Sequence, residues 1–327
     1  MASLKQALLQ LDGYTTTHAL DQPCDSPTFR TPYANSEWST FFAEVSKGLD
    51  TTSSPRDYPG ISSADFNKTI DHTLLKVEAK GEQIDELCSE ARTAVFATVC
   101  VRPGFVARAV SNLKGSDVLV ASVVGFHEGT YDLEEKMRDS KQSLDAGAHE
   151  LDIVLNYPAL QKGDYSAIFN ELATLRLQAP PPVLLKLIFE SSQLTDAQIT
   201  AACTLAAAAE FDYVKTSTGF KGHGATVGHV QLMAACCDKL AAVVEKEDAS
   251  GKRKMKVKAS GGVRTLDDAI KMLQAGASRL GTSAGVWIAK EAGERAEEVG
   301  KNGNALAPPD DNTSGRPGLQ TRLYTDY

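Results

Sequence analysis

The sequence predicts a (β/α)8 TIM barrel, an α/β fold, with an N-terminal extension and a flexible C-terminal tail. Short apolar segments alternate with helical segments through the middle of the chain, and eight segments of the first kind are found. Strands that alternate with helices pair in parallel, and eight of them close into a barrel. An open, doubly wound sheet is the alternative, but no GxGxxG segment follows the first strand.

The candidate strands are rich in β-branched residues. Several are apolar almost throughout, which is typical of parallel strands covered on both faces. They are residues 67–73, 95–101, 118–126, 149–156, 182–190, 213–219, 254–263 and 278–285.

The segments between them carry helical signals. Apolar side chains recur at helical spacing, for example at Ile84, Leu87, Cys88 and Ala91. Thr195 with Gln198, and Thr265 with Asp268, have the spacing of capping boxes at helix N-termini. Gly276 is a plausible stop for the helix that Thr265 opens. These signals predict a barrel over 61–300, preceded by an extension over 1–60 and followed by a tail over 301–327.

The extension lacks sustained periodicity and contains only short helical candidates at 3–11 and 38–47. A loosely packed segment is the expectation, and a regulatory or oligomer-forming arm is the alternative. Tyr327 ends a polar tail that has the reach to fold over the barrel mouth. A disordered end is the simpler interpretation of that tail.

Composition excludes several classes of protein. The 327 residues are 42% hydrophobic with a net charge of −8, which argues against a disordered chain, nucleic acid partners and anionic membranes. The longest mostly apolar run, 118–126, is too short to cross a bilayer. Six cysteines without a CxxC motif indicate a reducing compartment, so we expect a cytoplasmic protein. A phosphorylated small substrate remains compatible with the acidic charge.

Ionisable residues interrupt four apolar strands, at Asp152, Lys186, Lys215 and Lys258. Functional side chains of such barrels lie at the C-terminal ends of strands. A lone lysine there is more often a snorkelling side chain, but three on consecutive strands point to function. Repulsion between two ammonium groups lets one lose its proton, and a neutral lysine attacks a carbonyl to form a Schiff base. Asp152 could orient a water or relay a proton itself, so the set suits aldol chemistry without a metal.

Two glycine-rich stretches, 260–262 and 281–285, follow the last two strands. Phosphate sites of these barrels commonly use those loops and a helix N-terminus. A glycine-rich sequence is equally typical of an ordinary turn. The prediction of a phosphate site therefore rests on the position of these two stretches after the last two strands.

Several segments resemble the deoxyribose-phosphate aldolase family. The most specific are KTSTGF at 215–220 and KASGGVRT at 258–265. Further matches, in order across 67–290, are IDHTLL at 70–75, TVCVRP at 98–103, ELDIVLN at 150–156, LLKLIFE at 184–190 and RLGTSAGV at 279–286. The resemblance implies reversible cleavage of 2-deoxy-D-ribose 5-phosphate into D-glyceraldehyde 3-phosphate and acetaldehyde.

Residue roles follow from the resemblance. Lys215 matches the imine-forming lysine, Lys258 the lysine that depresses its pKa, and Asp152 the aspartate of the proton relay. The remaining matches are substrate-binding positions, in the pocket at Asp71, Thr73, Cys100, Lys186 and Thr218 and in the phosphate loops at Gly219, Gly261, Gly262 and Ser283. The resemblance implies a class I aldolase that needs no cofactor and no metal, and no HxH or HExxH motif occurs. Its expected partners are phosphosugar and aldehyde substrates. The chain could also form a homo-oligomer, either a dimer or a tetramer.

The chain departs from the family pattern at three places. Ala284 follows Ser283 where some members carry a second serine, and we expect its backbone N–H to serve the phosphate instead. Phe220 stands where some relatives have a lysine, and Lys221 follows it. His127 and Glu128 replace an expected proline and apolar residue. Three alternatives to this function remain: a transaldolase-like enzyme, a catalytically silent phosphosugar-binding barrel, and an added structural role for the extension.

Overall fold

The computed structural model describes residues 6–8, 30–51, 55–245 and 254–302. Its centre is a closed barrel of eight parallel strands in sequence order. The strands are β1 Ile70–Thr73, β2 Thr98–Val101, β3 Leu119–Val124, β4 Glu150–Val154, β5 Leu184–Ile188, β6 Tyr213–Lys215, β7 Lys256–Ser260 and β8 Arg279–Thr282. Pairing of β1 with β8 closes the barrel. The predicted TIM-barrel class is therefore confirmed.

The α-helices of the described segments surround this barrel. They are α1 Asn35–Ser46, α2 Ala64–Asn67, α3 Gly81–Ala94, α4 Val106–Asn112, α5 Leu133–Asp145, α6 Tyr157–Gln161, α7 Tyr165–Gln178, α8 Asp196–Ala208, α9 Val227–Glu245, α10 Leu266–Gln274 and α11 Gly285–Asn302. The largest apolar core lies between the outer face of the strands and these helices. None of the helices described has both the length and the apolar character needed to span a membrane.

Both predicted capping boxes are present. The amide of Gln198 donates to Thr195 Oγ1 at 3.3 Å, and the Thr195 amide donates to Gln198 Oε1 at 2.9 Å. The amides of Thr265 and Asp268 exchange the same pair of bonds with the partner side chains. These caps satisfy the first amides of α8 and α10, so each helix begins at a defined residue soon after the preceding strand.

All eight strands are shorter than the sequence predicts. The expected strand 213–219 pairs only over Tyr213–Lys215, and 254–263 pairs only over Lys256–Ser260. Strand β7 ends directly before Gly261 (φ 82°) and Gly262 (80°), and the loop after β6 carries Gly219 (86°), all with positive φ. The residues beyond the ladder form loops at the C-terminal mouth.

The first 60 residues are not uniformly loose. Helix α1 packs against α7, α8 and α9, and buries Trp38, Phe41, Phe42 and Val45. The Trp38 ring lies 5.0 Å from that of Phe169 on α7. The expected short helix at 38–47 is therefore present, three residues earlier, but it is packed rather than loose. The domain boundaries as such stay a prediction, and Tyr327 lies outside the described residues.

Candidate active site

The four ionisable residues singled out in the sequence meet inside the barrel. Strand register sets Asp152 beside Lys186, and Lys215 beside Lys258. Asp152 Oδ1 lies 2.6 Å from Lys186 Nζ, and Asp152 Oδ2 lies 2.8 Å from both Lys215 Nζ and Lys258 Nζ. All four side chains are buried. One carboxylate thus holds three amines from the three following strands.

The two lysines on Asp152 Oδ2 differ in their electrostatics. Burial lowers the pKa of Lys215, and the positive charge of Lys258 lowers it further, against an opposing effect of Asp152. Burial also acts to lower the pKa of Lys258, but Asp152 and Asp71 outweigh it and raise that pKa. Lys215 is therefore the amine of this pair that loses its proton more readily.

Asp152 and Cys100 complete the inner surface of the site. Burial acts to raise the pKa of Asp152, but the three lysines hold it well below its ordinary value, so the carboxylate is charged. Burial raises the pKa of the Cys100 thiol to about 11, and its Sγ lies 4.0 Å from Asp152 Oδ2. A neutral, buried thiol is a packed pocket residue rather than a nucleophile.

Asp71 and Lys186, both expected to bind substrate, lie within the ion-paired cluster. Asp71 Oδ2 lies 2.5 Å from Lys258 Nζ, and Asp71 Oδ1 accepts a hydrogen bond from Arg279 at 2.6 Å. Lys186 Nζ lies 2.5 Å from Glu150 Oε2 in addition to its contact with Asp152. Both side chains are completely buried. Because charged partners surround both side chains, this placement supports a role in holding the charged cluster together, and the expected contact with substrate stays a prediction.

The glycine loops lie together at the mouth. A Cβ added to Gly261 would stand 3.6 Å from Gly219 Cα, so the loops after β6 and β7 adjoin. Ser283 directly follows β8 and lies two residues before the start of α11. The expected role of the Ala284 N–H is not supported, because that amide donates to Thr282 Oγ1 at 2.9 Å.

The two threonines expected in the pocket, Thr73 and Thr218, donate hydrogen bonds to buried residues. Thr218 donates through both its hydroxyl and its amide to Glu190 Oε2 at the end of β5. Thr73, the last residue of β1, donates through Oγ1 to the backbone oxygen of Asp71 at 2.9 Å. Glu190 is buried, and burial raises its pKa. It fixes the loop that carries Gly219, a role that the sequence analysis did not assign.

Comparison with known proteins places this geometry in a family. Residues 66–292 match the family described as DeoC/LacD family aldolase. The chain belongs to the DeoC/LacD aldolase family. It is therefore an aldolase, a carbon–carbon lyase, and the resemblance drawn from its motifs is confirmed.

Individual relatives of this aldolase carry a more specific name. A deoxyribose-phosphate aldolase of Coccidioides immitis is 45% identical over 257 residues, which is 79% of this chain and 92% of the relative. One of Streptococcus uberis is 45% identical over 68% of this chain and 94% of its own length. A crystal structure provisionally described as the C. immitis enzyme covers 80% of this chain and 98% of its own, with a TM-score of 0.72 and 45% identity. A tetrameric deoxyribose phosphate aldolase from Aeropyrum pernix covers 73% of this chain and 92% of its own, with a TM-score of 0.60 and 29% identity.

Three charged residues of the aldolase site were missed by the sequence analysis: Glu150, Glu190 and Arg279. Glu150 stands two residues before Asp152, and side chains two apart on a strand share a face. That spacing was a signal available in the sequence. Arg279 begins β8 and Glu190 follows β5, where charged residues are common, so neither stood out.

Metal ligation was assessed from the side chains alone. Within the described ranges, no group of three or more His, Cys, Asp or Glu residues is placed to hold a metal ion. The expectation of a metal-free reaction stays a prediction.

Proposed function

We propose that this protein is a class I deoxyribose-phosphate aldolase, which cleaves 2-deoxy-D-ribose 5-phosphate reversibly into D-glyceraldehyde 3-phosphate and acetaldehyde through a Schiff base on Lys215. The observation that carries the proposal is the buried Lys215 amine, with a lowered pKa, 2.8 Å from Asp152. The names of its relatives support the same substrate.

The first steps form the imine. The neutral amine of Lys215 attacks C1 of the open-chain sugar, and the resulting carbinolamine loses water to give a protonated imine. Asp152 and Lys258 are the groups placed to exchange the protons of these steps, directly or through a water. The positive charge on the imine nitrogen then lies beside the Asp152 carboxylate, which stabilises it.

Carbon–carbon cleavage follows from that charge. The C3 hydroxyl gives up its proton, the C2–C3 bond breaks, and its electron pair moves toward the iminium nitrogen. D-Glyceraldehyde 3-phosphate leaves, and an enamine remains on Lys215. Protonation at C2 and hydrolysis of the imine release acetaldehyde and restore the amine.

The mouth supplies the remaining contacts. We propose that Gly219, Gly261, Gly262 and Ser283 cradle the phosphate, since their loops adjoin and α11 begins next to them. Thr73, Cys100 and Thr218 line the sugar pocket. No cofactor or metal takes part, and no nucleic acid or membrane is a partner. The protein acts in the cytoplasm, in the breakdown of deoxyribonucleotide-derived sugars, as a monomer or as a dimer or tetramer.

Borohydride trapping tests this function. The protein is incubated with acetaldehyde or 2-deoxy-D-ribose 5-phosphate, reduced, digested and analysed by mass spectrometry. We expect N-ethyl-lysine at Lys215 after acetaldehyde treatment. Lys215→Arg should abolish the adduct and the turnover, because an always-charged guanidinium does not attack a carbonyl.

Lys68→Arg is the matched control, because Lys68 is a lysine on the exposed surface. It should trap and turn over as the wild type does. A folded wild-type protein without an adduct would favour a silent binding barrel, and an adduct on Lys186 or Lys258 would overturn the roles assigned here. Cleavage of other phosphosugars at higher rates would favour a transaldolase-like enzyme.

A further inference from the structure

Six charged side chains next to Lys215 form a closed ring; five of them are buried and the sixth, Arg279, is 12% exposed. The contacts described above link Lys258 to Asp71, Asp71 to Arg279, Glu150 to Lys186, and Lys186 and Lys258 to Asp152. The ring closes where Arg279 Nη2 lies 3.5 Å from Glu150 Oε1. We call this set the charge ring: Asp71, Glu150, Asp152, Lys186, Lys258 and Arg279. Acidic and basic members alternate around it.

The charge ring is neutral by count, since it holds three carboxylates and three cations. Lys215 is a seventh member of the same buried cluster and adds one positive charge when protonated. Net charge buried away from water is costly. The cluster is therefore balanced only when one of its bases releases a proton.

The contacts show which base that is. Lys186 has three carboxylates within 4 Å, and Lys258 and Arg279 have two each. Lys215 has one, Asp152, and it shares the oxygen with Lys258. Arginine stays protonated under all ordinary conditions. Lys215 is thus the least neutralised base of the cluster.

We propose that Glu150 and Arg279 are positioning residues that set the charge balance of the cluster, and through it the protonation of Lys215: Arg279 favours the neutral, imine-forming amine, and Glu150 limits that effect. This inference rests on the proposed role of Lys215. Neither residue touches Lys215. Each acts through its ring neighbours, Glu150 through Lys186 and Arg279 through Asp71 and Lys258.

The groups around Lys215 are drawn from most of the barrel strands. The charged or titratable side chains that face it or the ring are Asp71 of β1, Cys100 of β2, Glu150 and Asp152 of β4, Lys186 of β5 with Glu190 after it, Tyr213 beside Arg279, Lys258 of β7 and Arg279 of β8. Burial raises the pKa of the Cys100 thiol to about 11, which keeps it uncharged near neutral pH, and burial also raises the pKa of Glu190. Glu190 lies outside the ring, so changing a ring member leaves its own side chain in place.

Removing one ring member of each sign should shift the pH dependence in opposite directions. The measurement is the rate of borohydride-trapped imine formation from acetaldehyde against pH, since acetaldehyde itself does not titrate. On the acid side of this pH–rate profile, which we call the acid limb, the rate falls as Lys215 becomes protonated. Arg279→Met removes a positive charge, so Lys215 holds its proton more tightly and the acid limb moves up by about one pH unit. Glu150→Gln removes a negative charge, so the acid limb moves down by about the same amount.

The double variant Arg279→Met, Glu150→Gln is the decisive comparison. It loses both contacts but restores neutrality, so its acid limb should return to within about 0.3 pH unit of the wild type. If the single variants acted only by damaging the structure, the double variant would trap the imine more slowly than either of them, and its acid limb would not return. Should Arg279→Met fail to fold, the near-isosteric Glu150→Gln still tests the downward shift.

Arg176→Met is the matched control. Like Arg279, Arg176 is paired with an aspartate: its Nη2 lies 2.6 Å from Asp212 Oδ2. Arg176 is buried, but it lies outside the charge ring. Its acid limb should coincide with that of the wild type. Unchanged limbs in both ring variants, or shifts of the same sign, would overturn the inference while leaving the proposed function in place. A wild-type protein without an adduct at Lys215 would overturn the proposed function instead.

Discussion

Replacing Trp38 by alanine should destabilise the barrel although Trp38 lies far along the chain from every strand. Its indole is completely buried. Its ring centroid lies 5.0 Å from that of Phe169 on α7 and 5.6 Å from that of Phe41 on its own helix. Truncation of a buried tryptophan removes its apolar contacts and leaves a cavity, at a cost of about 3–5 kcal/mol. Phe41 and Phe42 of the same helix also pack on the Trp38 ring, so the gap would be lined by aromatic side chains.

The free energy of unfolding, measured with urea at 25 °C, reports this loss. For a domain of this size, 3 kcal/mol also lowers Tm by about 6 °C. Trp287→Ala is the matched control, because that indole is 43% exposed on α11 and its removal should cost less than about 1 kcal/mol. Turnover of folded Trp38→Ala at 25 °C should stay close to that of the wild type, since Trp38 contacts none of the charged cluster.

A loss below about 1 kcal/mol for Trp38→Ala, or equal losses for the two tryptophans, would refute this reasoning. The extension would then be the loosely attached arm that its composition suggests. A large loss shows instead that residues 35–46 are part of the folded unit, and that truncation at residue 60 would expose the helices that α1 covers.

Two further predictions concern the chemistry. Lys258 Nζ and Lys215 Nζ each lie 2.8 Å from the same Asp152 oxygen, so they repel at close range. At about 5 Å and an effective dielectric constant of about 20 this is about 3 kcal/mol, or about two pKa units. Lys258→Met should therefore raise the pKa of Lys215 and move the acid limb of imine trapping upward, and an unmoved limb in the folded variant would contradict the two-lysine argument. Turnover in excess chelator should equal turnover without it, and a loss that added divalent metal restores would favour a metal-dependent aldolase.

The fold was predictable because barrel strands leave strong local signals. Covered parallel strands need apolar residues on both faces, so the sequence shows eight such segments in the correct order. Their ends were less predictable, because β6 pairs only as far as Lys215 and β7 stops directly before Gly261, for reasons of loop geometry. Helix α1 was placed only approximately, although Trp38, Phe41, Phe42 and Val45 have the spacing of one buried helix face.

Those residues of the site were predictable that are charged but lie within an otherwise apolar strand. A lysine or aspartate within an apolar strand is costly unless it is paired, so Asp152, Lys215 and Lys258 stood out. Glu150 and Arg279 begin their strands, where a charged side chain usually reaches water. Only closure of the barrel turns those two residues inward and joins them across its interior. Long-range pairing of this kind leaves no local signal at Arg279, whereas Glu150 could have been recognised from its spacing to Asp152 on the same strand face.

The departures from the family pattern at the mouth are related to one another in space. His127 stacks on Phe220 with ring centroids 4.9 Å apart, and Glu128 Oε2 accepts a hydrogen bond from Lys221 at 3.2 Å. Lys221 also donates to the Tyr157 hydroxyl at 2.7 Å. In the sequence, the unusual residues at 127–128 and at 220–221 are separate anomalies more than 90 positions apart. In the structure they are two halves of one contact between the loops after β3 and β6.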